Sequence, residues 1–186
     1  MKRIFDLVVT FFGLPLLLPV ITLTALILIS KLGLPIFFKQ SRPGLNRKIF
    51  NIYKFRTMTN ECDKDGILLS DEARLTKFGK FLRSTSLDEL PTLWNVLKSD
   101  MSLVGPRPER PVFVEDFKKT IPKYMLRLKM KAGLTGWAQI NGWRGNTSLE
   151  KRIEYDLYYI NHWSIFMDLK IILLTFWKGF LNPHAY

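Results

Sequence analysis

IFDLVVTFFGLPLLLPVITLTALILISKLGLPIFF, residues 4–38, is almost entirely apolar. A single helix needs about 20 apolar residues to cross the hydrocarbon core of a bilayer, so the stretch is long enough to be a membrane segment. Pro15 and Pro19 lie near its middle. A proline inside a helix removes one backbone hydrogen bond and kinks or breaks the helix. The stretch therefore predicts a membrane helix that is interrupted near Pro19.

Basic residues flank this apolar stretch on both sides. Lys2 and Arg3 precede it, and the residues that close or follow it are Lys31, Lys39, Arg42, Arg47 and Lys48. Basic flanks prefer the cytoplasmic face of a membrane. A helix–break–helix that returns to the face it entered satisfies both flanks, so we expect residues 1–38 to be re-entrant. A kinked spanning helix is the alternative, because membrane helices tolerate proline where the freed carbonyls find partners.

Residues 39–186 are expected to form one compact cytosolic domain. About 150 residues are enough to bury a hydrophobic core. The single cysteine, Cys62, excludes an internal disulfide, and two histidines are too few for a histidine-rich zinc site. The apolar run is too long for a cleaved signal peptide and no small-x-small site follows it, so we expect it to stay attached.

The domain is predicted to be mainly α with a short β element. Residues 49–58 alternate between apolar and polar, which is typical of a strand, and residues 60–71 form a polar loop. An apolar helical stripe is formed by Leu90, Leu93, Trp94 and Leu97. A last long helix is predicted over residues 149–180.

The net charge of +12 indicates an anionic partner. The basic excess beside the apolar stretch is typical of a segment that binds anionic lipid. A second basic group is interleaved with apolar residues and predicts an interfacial amphipathic helix, with a solvated basic helix face as the alternative; it consists of Lys118, Lys119, Lys123, Arg127, Lys129 and Lys131.

The candidate chemistry lies in residues 84–91, STSLDELP. The chain has no Walker A loop, no dinucleotide-binding glycine motif and no nucleophile elbow. The adjacent carboxylates of Asp88 and Glu89 can hold a divalent cation, and one of them can attack an electrophilic phosphorus. Ser86 and Glu89 also have the spacing of a helix capping box, and spacing alone favours that structural interpretation.

Two arginines near this segment favour a chemical role for it over a purely structural one. Arg83 lies just upstream, and Arg107 follows in VGPRP, residues 104–108. The prolines on both sides of Arg107 restrict its backbone, so its guanidinium can be directed at a phosphate with little loss of entropy. An exposed turn arginine is the alternative.

Four long segments resemble the bacterial sugar transferases, which are monotopic polyprenyl-phosphate hexose-1-phosphate transferases. They are RPGLNRKIFNIYKFRTM, KFGKFLRSTSLDELPTLWNVLKSDMSLVGPRPE, GLTGWAQINGWRG and EYDLYYINHWSIFMDLKIILLTFWKG, and together they cover most of the chain. The resemblance implies phosphoglycosyl transfer from a UDP-sugar to undecaprenyl phosphate with release of UMP. It also implies a first membrane step of polysaccharide synthesis, at the cytoplasmic face of the inner membrane.

The resemblance also implies roles for individual residues. Asp88 resembles the nucleophile that forms a covalent phospho-sugar aspartate, Glu89 completes the dyad, and Mg²⁺ is expected at Asp88 and the diphosphate. The cations expected around the phosphates are Lys54, Arg56, Arg83 and Arg107. Gln139 and Asn141, in a glycine-rich loop, are expected to shape the nucleotide or sugar pocket, with a structural loop as the alternative.

This chain departs from the family pattern at two positions and resembles its minimal catalytic unit. Leu18 stands where serine commonly precedes the helix-breaking proline, and Ala132 stands where proline is frequent.

Residues 142–145 and 182–186 look most like relatives that use UDP-glucose or UDP-galactose, with an amino-sugar donor as an alternative. A membrane-tethered basic module without turnover would also fit the charge, as would an inactive partner in a polysaccharide assembly complex. Anionic lipids are expected partners, nucleic acid is not, and a homo-oligomer is left open.

Overall fold

The apolar N-terminal stretch forms one continuous helix, α1 (Lys2–Leu32), in the computed structural model, which describes residues 1–145 and 147–179. Pro15 and Pro19 both lie inside α1. The predicted helix–break–helix is therefore corrected: the helix does not end at Pro19. Each proline removes only one backbone donor, and the neighbouring turns keep their own hydrogen bonds. By length and composition α1 could cross a membrane.

One stripe of α1 packs against the rest of the chain along the whole helix. Asp6, Thr10, Thr24 and Leu28 are buried. The partly buried residues of the same stripe are Val9, Leu14, Leu17, Ile21, Ala25 and Leu32. These positions recur every three or four residues, which places them on one helix face. The opposite face is exposed and apolar, with Phe11, Phe12, Leu16, Leu23 and Leu26.

An antiparallel hairpin follows α1 and confirms the predicted strand. β1 (Phe37–Pro43) pairs with β2 (Ile49–Phe55), with Lys39 opposite Tyr53. Two side chains from much later in the chain, Thr92 and Asn95, donate hydrogen bonds to the backbone of β2. Thr92 donates to the carbonyl of Tyr53 at 2.8 Å, and Asn95 donates to that of Asn51 at 2.7 Å. These bonds hold the segment that follows residue 86 against β2.

Short helices fill the middle of the chain. The polar loop predicted over residues 60–71 is confirmed; it ends where α2 (Asp71–Arg74) begins. α3 (Lys77–Ser84) leads to a 3₁₀ segment (Leu87–Thr92) and to α4 (Leu93–Leu97). The predicted apolar stripe is only partly right, because Trp94 is 57% exposed. The tighter 3₁₀ turn around Pro91 changes the helical phase, so the four apolar residues do not share one face.

A small parallel sheet leads into the loop with the flanking prolines. β3 (Ser102–Val104) pairs with β4 (Gly133–Thr135). A Cβ atom on Gly133 would lie 2.1 Å from the backbone nitrogen of Gly105, so only glycine allows this close approach. β3 therefore directs the chain into Pro106 and Arg107.

The predicted basic amphipathic helix is not one helix. α5 (Pro111–Thr120) ends before Lys123, whose φ of 67° is left-handed, and a separate 3₁₀ segment (Tyr124–Lys129) follows. Arg127 is buried and paired with Asp156 at 2.6 Å, rather than lying on a basic surface. The buried ion pair requires this turn, which the local residue pattern does not encode.

The predicted last helix is two helices. α6 (Trp137–Ile140) precedes α7 (Leu149–Asn161), and α8 (Ile165–Gly179) follows. Ser164 separates the last two, because its hydroxyl accepts from the backbone nitrogen of Met167 at 3.1 Å and begins a new helix. Phe180 lies outside the described residues. The described chain is mainly helical with two small sheets, as expected.

Candidate active site

Asp88 and Glu89 lie in the 3₁₀ segment that follows an unusual backbone turn at Ser86. Ser86 has φ 56° and ψ 16°, which is the left-handed region, and its side chain makes no capping bond. The capping-box interpretation is therefore wrong. The Ser86 hydroxyl instead accepts from Arg144 at 3.2 Å. Because Glu89 is not used to cap a helix, its carboxylate is available to other partners.

Three cations surround the carboxylate of Glu89. Lys54 donates to its Oε1 at 2.7 Å, and Arg107 donates to both oxygens, at 2.5 and 3.2 Å. Arg144 adds a third ion pair at 3.3 Å. Burial alone would raise the pKa of Glu89, but Arg107, Lys54 and Arg144 together hold it well below its usual value. Glu89 is therefore a permanently ionised anchor for three cations.

Asp88 has the opposite environment. Asp88 is 7% exposed, and its carboxylate takes part in none of the side-chain hydrogen bonds or ion pairs within residues 1–145 and 147–179, although the charges of Lys54, Arg107 and Arg144 act on it from nearby. Burial, followed by the negative charge of Glu89, raises the pKa of Asp88 to about 6. Two adjacent carboxylates whose environments push their pKa values apart are a mark of a reactive site. Asp88 is thus the carboxylate that is ionised at neutral pH without being engaged.

The cations around Glu89 come from three distant parts of the chain. Lys54 lies on β2, Arg107 follows β3, and Arg144 lies in the loop before α7. Arg127 donates to the carbonyl of Arg107 at 2.8 Å and is itself held by Asp156. The buried Arg127–Asp156 pair therefore fixes the backbone of Arg107, in addition to the two flanking prolines.

A cavity of about 150 Å³ lies beside Glu89, and six of its thirteen lining residues are charged. Besides Lys54, Glu89 and Arg107, the charged lining residues are Arg42, Glu109 and Arg152. Arg152 donates to Glu109 at 2.5 Å, and Arg42 donates to the carbonyl of Pro108 at 3.1 Å. Because several cations meet here, the cavity is suited to an anion.

Two of the predicted phosphate ligands, Arg56 and Arg83, contact other groups of the described chain. Arg56 donates to the carbonyls of Leu32 and Gly33, where it satisfies the C-terminal end of α1. Arg83 donates from Nε to the hydroxyl of Thr57 at 3.0 Å. Neither residue lines the cavity. The structure thus brings Lys54 and Arg107 into contact with Glu89, whereas Arg56 contacts the end of α1 and Arg83 contacts Thr57.

The two predicted pocket residues of the glycine-rich loop also lie outside the cavity. Gln139 is buried and donates to the carbonyl of Leu134 at 3.2 Å, while its Oε1 has no partner among the described residues. Asn141 is exposed and donates to the carbonyl of Trp137 at 2.8 Å, at the end of α6. Both make local contacts of the loop.

Sequence reasoning missed three arginines of this site: Arg42, Arg144 and Arg152. The sequence held a signal for Arg144, because it lies between two glycines, Gly142 and Gly145. In the structure their positive φ values of 85° and 70° shape a tight loop. Arg42 and Arg152 are separated by more than a hundred residues, and nothing in the local pattern distinguishes either from a surface arginine.

The carboxylates of this site can hold Mg²⁺ only together with phosphate oxygens of a substrate. Among the residues that the structure describes, no group of three or more His, Cys, Asp or Glu side chains can hold a metal ion. Mg²⁺ in proteins is commonly held by one or two carboxylates together with substrate phosphates. Asp88 supplies one unpaired carboxylate, whereas Glu89 is fully engaged by cations.

Comparisons with known proteins show the family of this chain. The family model described as "Bacterial sugar transferase" matches residues 1–182. The chain is 50% identical to the "Uncharacterized sugar transferase EpsL" of Bacillus subtilis (strain 168), over 94% of this chain and 85% of that protein. It is 48% identical to the "UDP-glucose:undecaprenyl-phosphate glucose-1-phosphate transferase" of Klebsiella pneumoniae, over 100% of this chain and 41% of that protein.

A third relative is named for a different donor. The chain is 38% identical to the "UDP-N-acetylgalactosamine-undecaprenyl-phosphate N-acetylgalactosaminephosphotransferase" of Aeromonas hydrophila, over 94% of this chain and 42% of that protein. The chain therefore spans about two fifths of the length of the Klebsiella and Aeromonas relatives.

Proposed function

The chain belongs to the bacterial sugar transferase family, and on that premise we propose that it transfers hexose-1-phosphate from a UDP-sugar to undecaprenyl phosphate and releases UMP. The observation that carries the proposal is the contrast between two adjacent carboxylates. Glu89 is held by three cations, whereas Asp88 is buried, unpaired and shifted to a pKa of about 6. A binding module without turnover needs no such contrast.

Asp88 is the nucleophile of the proposed reaction. At neutral pH its carboxylate is mostly ionised, and no hydrogen bond within the described chain has to be broken before it attacks. A carboxylate oxygen forms a bond to the sugar-bearing phosphorus, and the bond from that phosphorus to the bridging oxygen of UMP breaks. The lipid phosphate oxygen then attacks the same phosphorus, and the bond to Asp88 breaks. This two-step route is nucleophilic catalysis through an acyl phosphate.

The cations at Glu89 stabilise the phosphates. Arg107, Lys54 and Arg144 bring three positive charges to one carboxylate, so a net positive charge remains for diphosphate oxygens. Preorganised donors aimed at developing negative charge are worth more in a water-excluded site than in water. Asp88, together with the diphosphate, would hold Mg²⁺, which would supply a Lewis acid to neutralise further charge.

Contacts at both ends of α1 support a monotopic membrane topology. Lys2 pairs with Asp168 on α8 at 2.6 Å, and Arg56 at the end of β2 bonds the carbonyl of Leu32. A helix of 31 residues is about 46 Å long, enough to place its ends on opposite sides of a bilayer if it were straight. Since both ends touch the same domain, the helix is proposed to stay on one side of the membrane.

The exposed face of α8 supports the same placement. Its large apolar residues recur along one side of the helix and are Phe166, Leu169, Leu173, Phe176 and Trp177. The exposed apolar residues of α8 and those of α1 are both surface that water would not favour, and we propose that they enter the membrane together. We place this surface in the cytoplasmic leaflet of the inner membrane, where anionic lipids attract the basic residues that follow α1.

A turnover assay tests the proposed function. The protein in lipid nanodiscs is incubated with Mg²⁺, undecaprenyl phosphate and UDP-glucose, UDP-galactose or their N-acetylated forms, and UMP is measured. We expect UMP release with UDP-glucose or UDP-galactose. With the lipid phosphate left out, mass spectrometry should detect a sugar phosphate on Asp88. UMP release that persists unchanged in Asp88→Asn would contradict the covalent route.

A further inference from the structure

The 3₁₀ segment has two faces, one towards α1 and one towards the charged cavity. The 3₁₀ segment directs Leu87 and Leu90 into the cluster that contains Leu28 of α1. Glu89 and Thr92 of the same segment line the cavity instead. A lipid phosphate is expected to approach from the α1 side. Because the cavity lies on the other face of the 3₁₀ segment from Leu87 and Leu90, we test it as a site for the soluble substrate.

The size of the cavity limits what it can hold. Its volume of about 150 Å³ corresponds to about five water molecules at roughly 30 Å³ each. Pockets for whole small-molecule ligands are about 300–1,000 Å³. The cavity is thus suited to one compact group of a larger molecule.

Positive charge exceeds negative charge around the cavity. Glu89 is neutralised by Lys54 and Arg107, and Glu109 is neutralised by Arg152. Within the described residues no carboxylate pairs with Arg42. Burial, followed by the nearby charge of Arg107, lowers the pKa of Arg42 to about 10. The positive charge of Arg42 therefore has no carboxylate paired with it among the described residues, and a bound anion would neutralise it.

Arg42 and Arg152, which both line the cavity, each have a buried donor without a partner among the described residues. The Nε atoms of Arg42 and Arg152 are buried and have no hydrogen-bond partner in the part of the chain that the structure describes. Arg152 is only 9% exposed. Buried polar groups almost always have a partner, and an unsatisfied one costs free energy. Phosphate oxygens accept hydrogen bonds from guanidinium groups with favourable geometry.

We propose that this cavity is the subsite for the nucleoside-linked phosphate of the UDP-sugar, with Arg42 and Arg152 as its ligands. The inference rests on the proposed transferase function. Asp88, which does not line the cavity, attacks the sugar-bearing phosphorus, while the neighbouring phosphate lies in the cavity. As the bond to the bridging oxygen breaks, negative charge grows on the departing UMP phosphate, and the two arginines stabilise it.

Binding of UMP and of uridine isolates the contribution of this phosphate. Three proteins in nanodiscs are compared with wild type: Arg42→Gln, the double variant Glu109→Gln with Arg152→Gln, and Arg110→Gln. The double variant removes an ion pair as a unit, so that no buried charge is left unpaired. Arg110 is the matched control, because it follows Glu109 but is exposed and lies outside the cavity.

We expect UMP affinity, measured by titration calorimetry, to fall about tenfold or more in Arg42→Gln and in the double variant, as for loss of a charge-assisted hydrogen bond. Uridine affinity should stay unchanged in every protein, and Arg110→Gln should change neither value. In the turnover assay, KM for the UDP-sugar should rise while KM for undecaprenyl phosphate stays constant. If Arg42→Gln does not fold, Arg42→Lys keeps the charge, loses the Nε donor and should still weaken UMP binding.

Three other results of the binding and turnover experiments can be distinguished from the expected one. A raised KM for undecaprenyl phosphate with unchanged UMP affinity would assign the cavity to the lipid phosphate and overturn the proposal. Unchanged UMP affinity with a lower melting temperature would make the arginines structural and would also overturn it. Wild-type protein that binds UMP through Arg42 but releases no UMP from any UDP-sugar would refute the transferase function and leave the phosphate subsite standing.

Discussion

Removing the charge of Asp88 should stabilise the fold while it abolishes turnover. The folded pKa of about 6 lies roughly two units above the reference value of 3.8, which corresponds to about 3 kcal/mol. Between these two values the folded protein holds a proton that the unfolded chain has released. Stability therefore falls as pH rises from 3.8 to about 6, and the cost is fully present above that window.

Asp88→Asn keeps the size of the side chain and removes this cost. At neutral pH we expect its free energy of unfolding to exceed that of wild type by up to about 3 kcal/mol, and its melting temperature to rise by roughly 2–4 °C per kcal/mol. The advantage should disappear below pH 4, where wild-type Asp88 is protonated as well. Urea titrations and thermal scans in nanodiscs with EDTA measure both values.

The neighbouring carboxylate is the matched control. Glu89→Gln leaves Lys54, Arg107 and Arg144 without their shared anion, and breaking a buried ion pair costs roughly 3–5 kcal/mol. It should therefore lower stability at neutral pH, although the two substitutions have the same chemistry. The reasoning is refuted if both variants lose stability equally, or if the gain in Asp88→Asn does not depend on pH.

Three more outcomes follow from the site and from α1. Arg107→Lys keeps the charge but loses one of two hydrogen bonds to Glu89. We therefore expect kcat/KM to fall at least about tenfold, and kcat to fall as well. A change in KM alone would contradict a transition-state role. In wild type, kcat/KM should fall tenfold per pH unit below about 6 as Asp88 is protonated, and a flat profile would exclude it as the nucleophile. In a Cys62→Ser background, single cysteines in the first turn of α1 and in the β1–β2 turn should both resist an impermeant thiol reagent outside intact cells, whereas labelling of the first alone would indicate a spanning helix.

Local patterns predicted the parts of this protein that depend on neighbouring residues. The apolar stretch became α1, the alternating run around Ile52 became β2, and the polar loop after residue 60 has no long element. The acidic pair and the proline-flanked Arg107 were also recognisable, because adjacent carboxylates and a restricted arginine are local features. Pro19 was misleading: one missing backbone donor did not end a helix whose other turns pack on the domain.

The tertiary structure alone decided which charges meet. Lys54 reaches Glu89 across 35 residues, and Arg144 reaches it across 55. Arg56, which looked equivalent to Lys54 in sequence, bonds the end of α1 instead, because it lies just beyond the end of β2, where the chain passes the carbonyls of Leu32 and Gly33. The sequence specifies the residue types, but the pKa of Asp88 depends on its burial and on the charges around it. Those depend on contacts between distant segments, which no local pattern specifies.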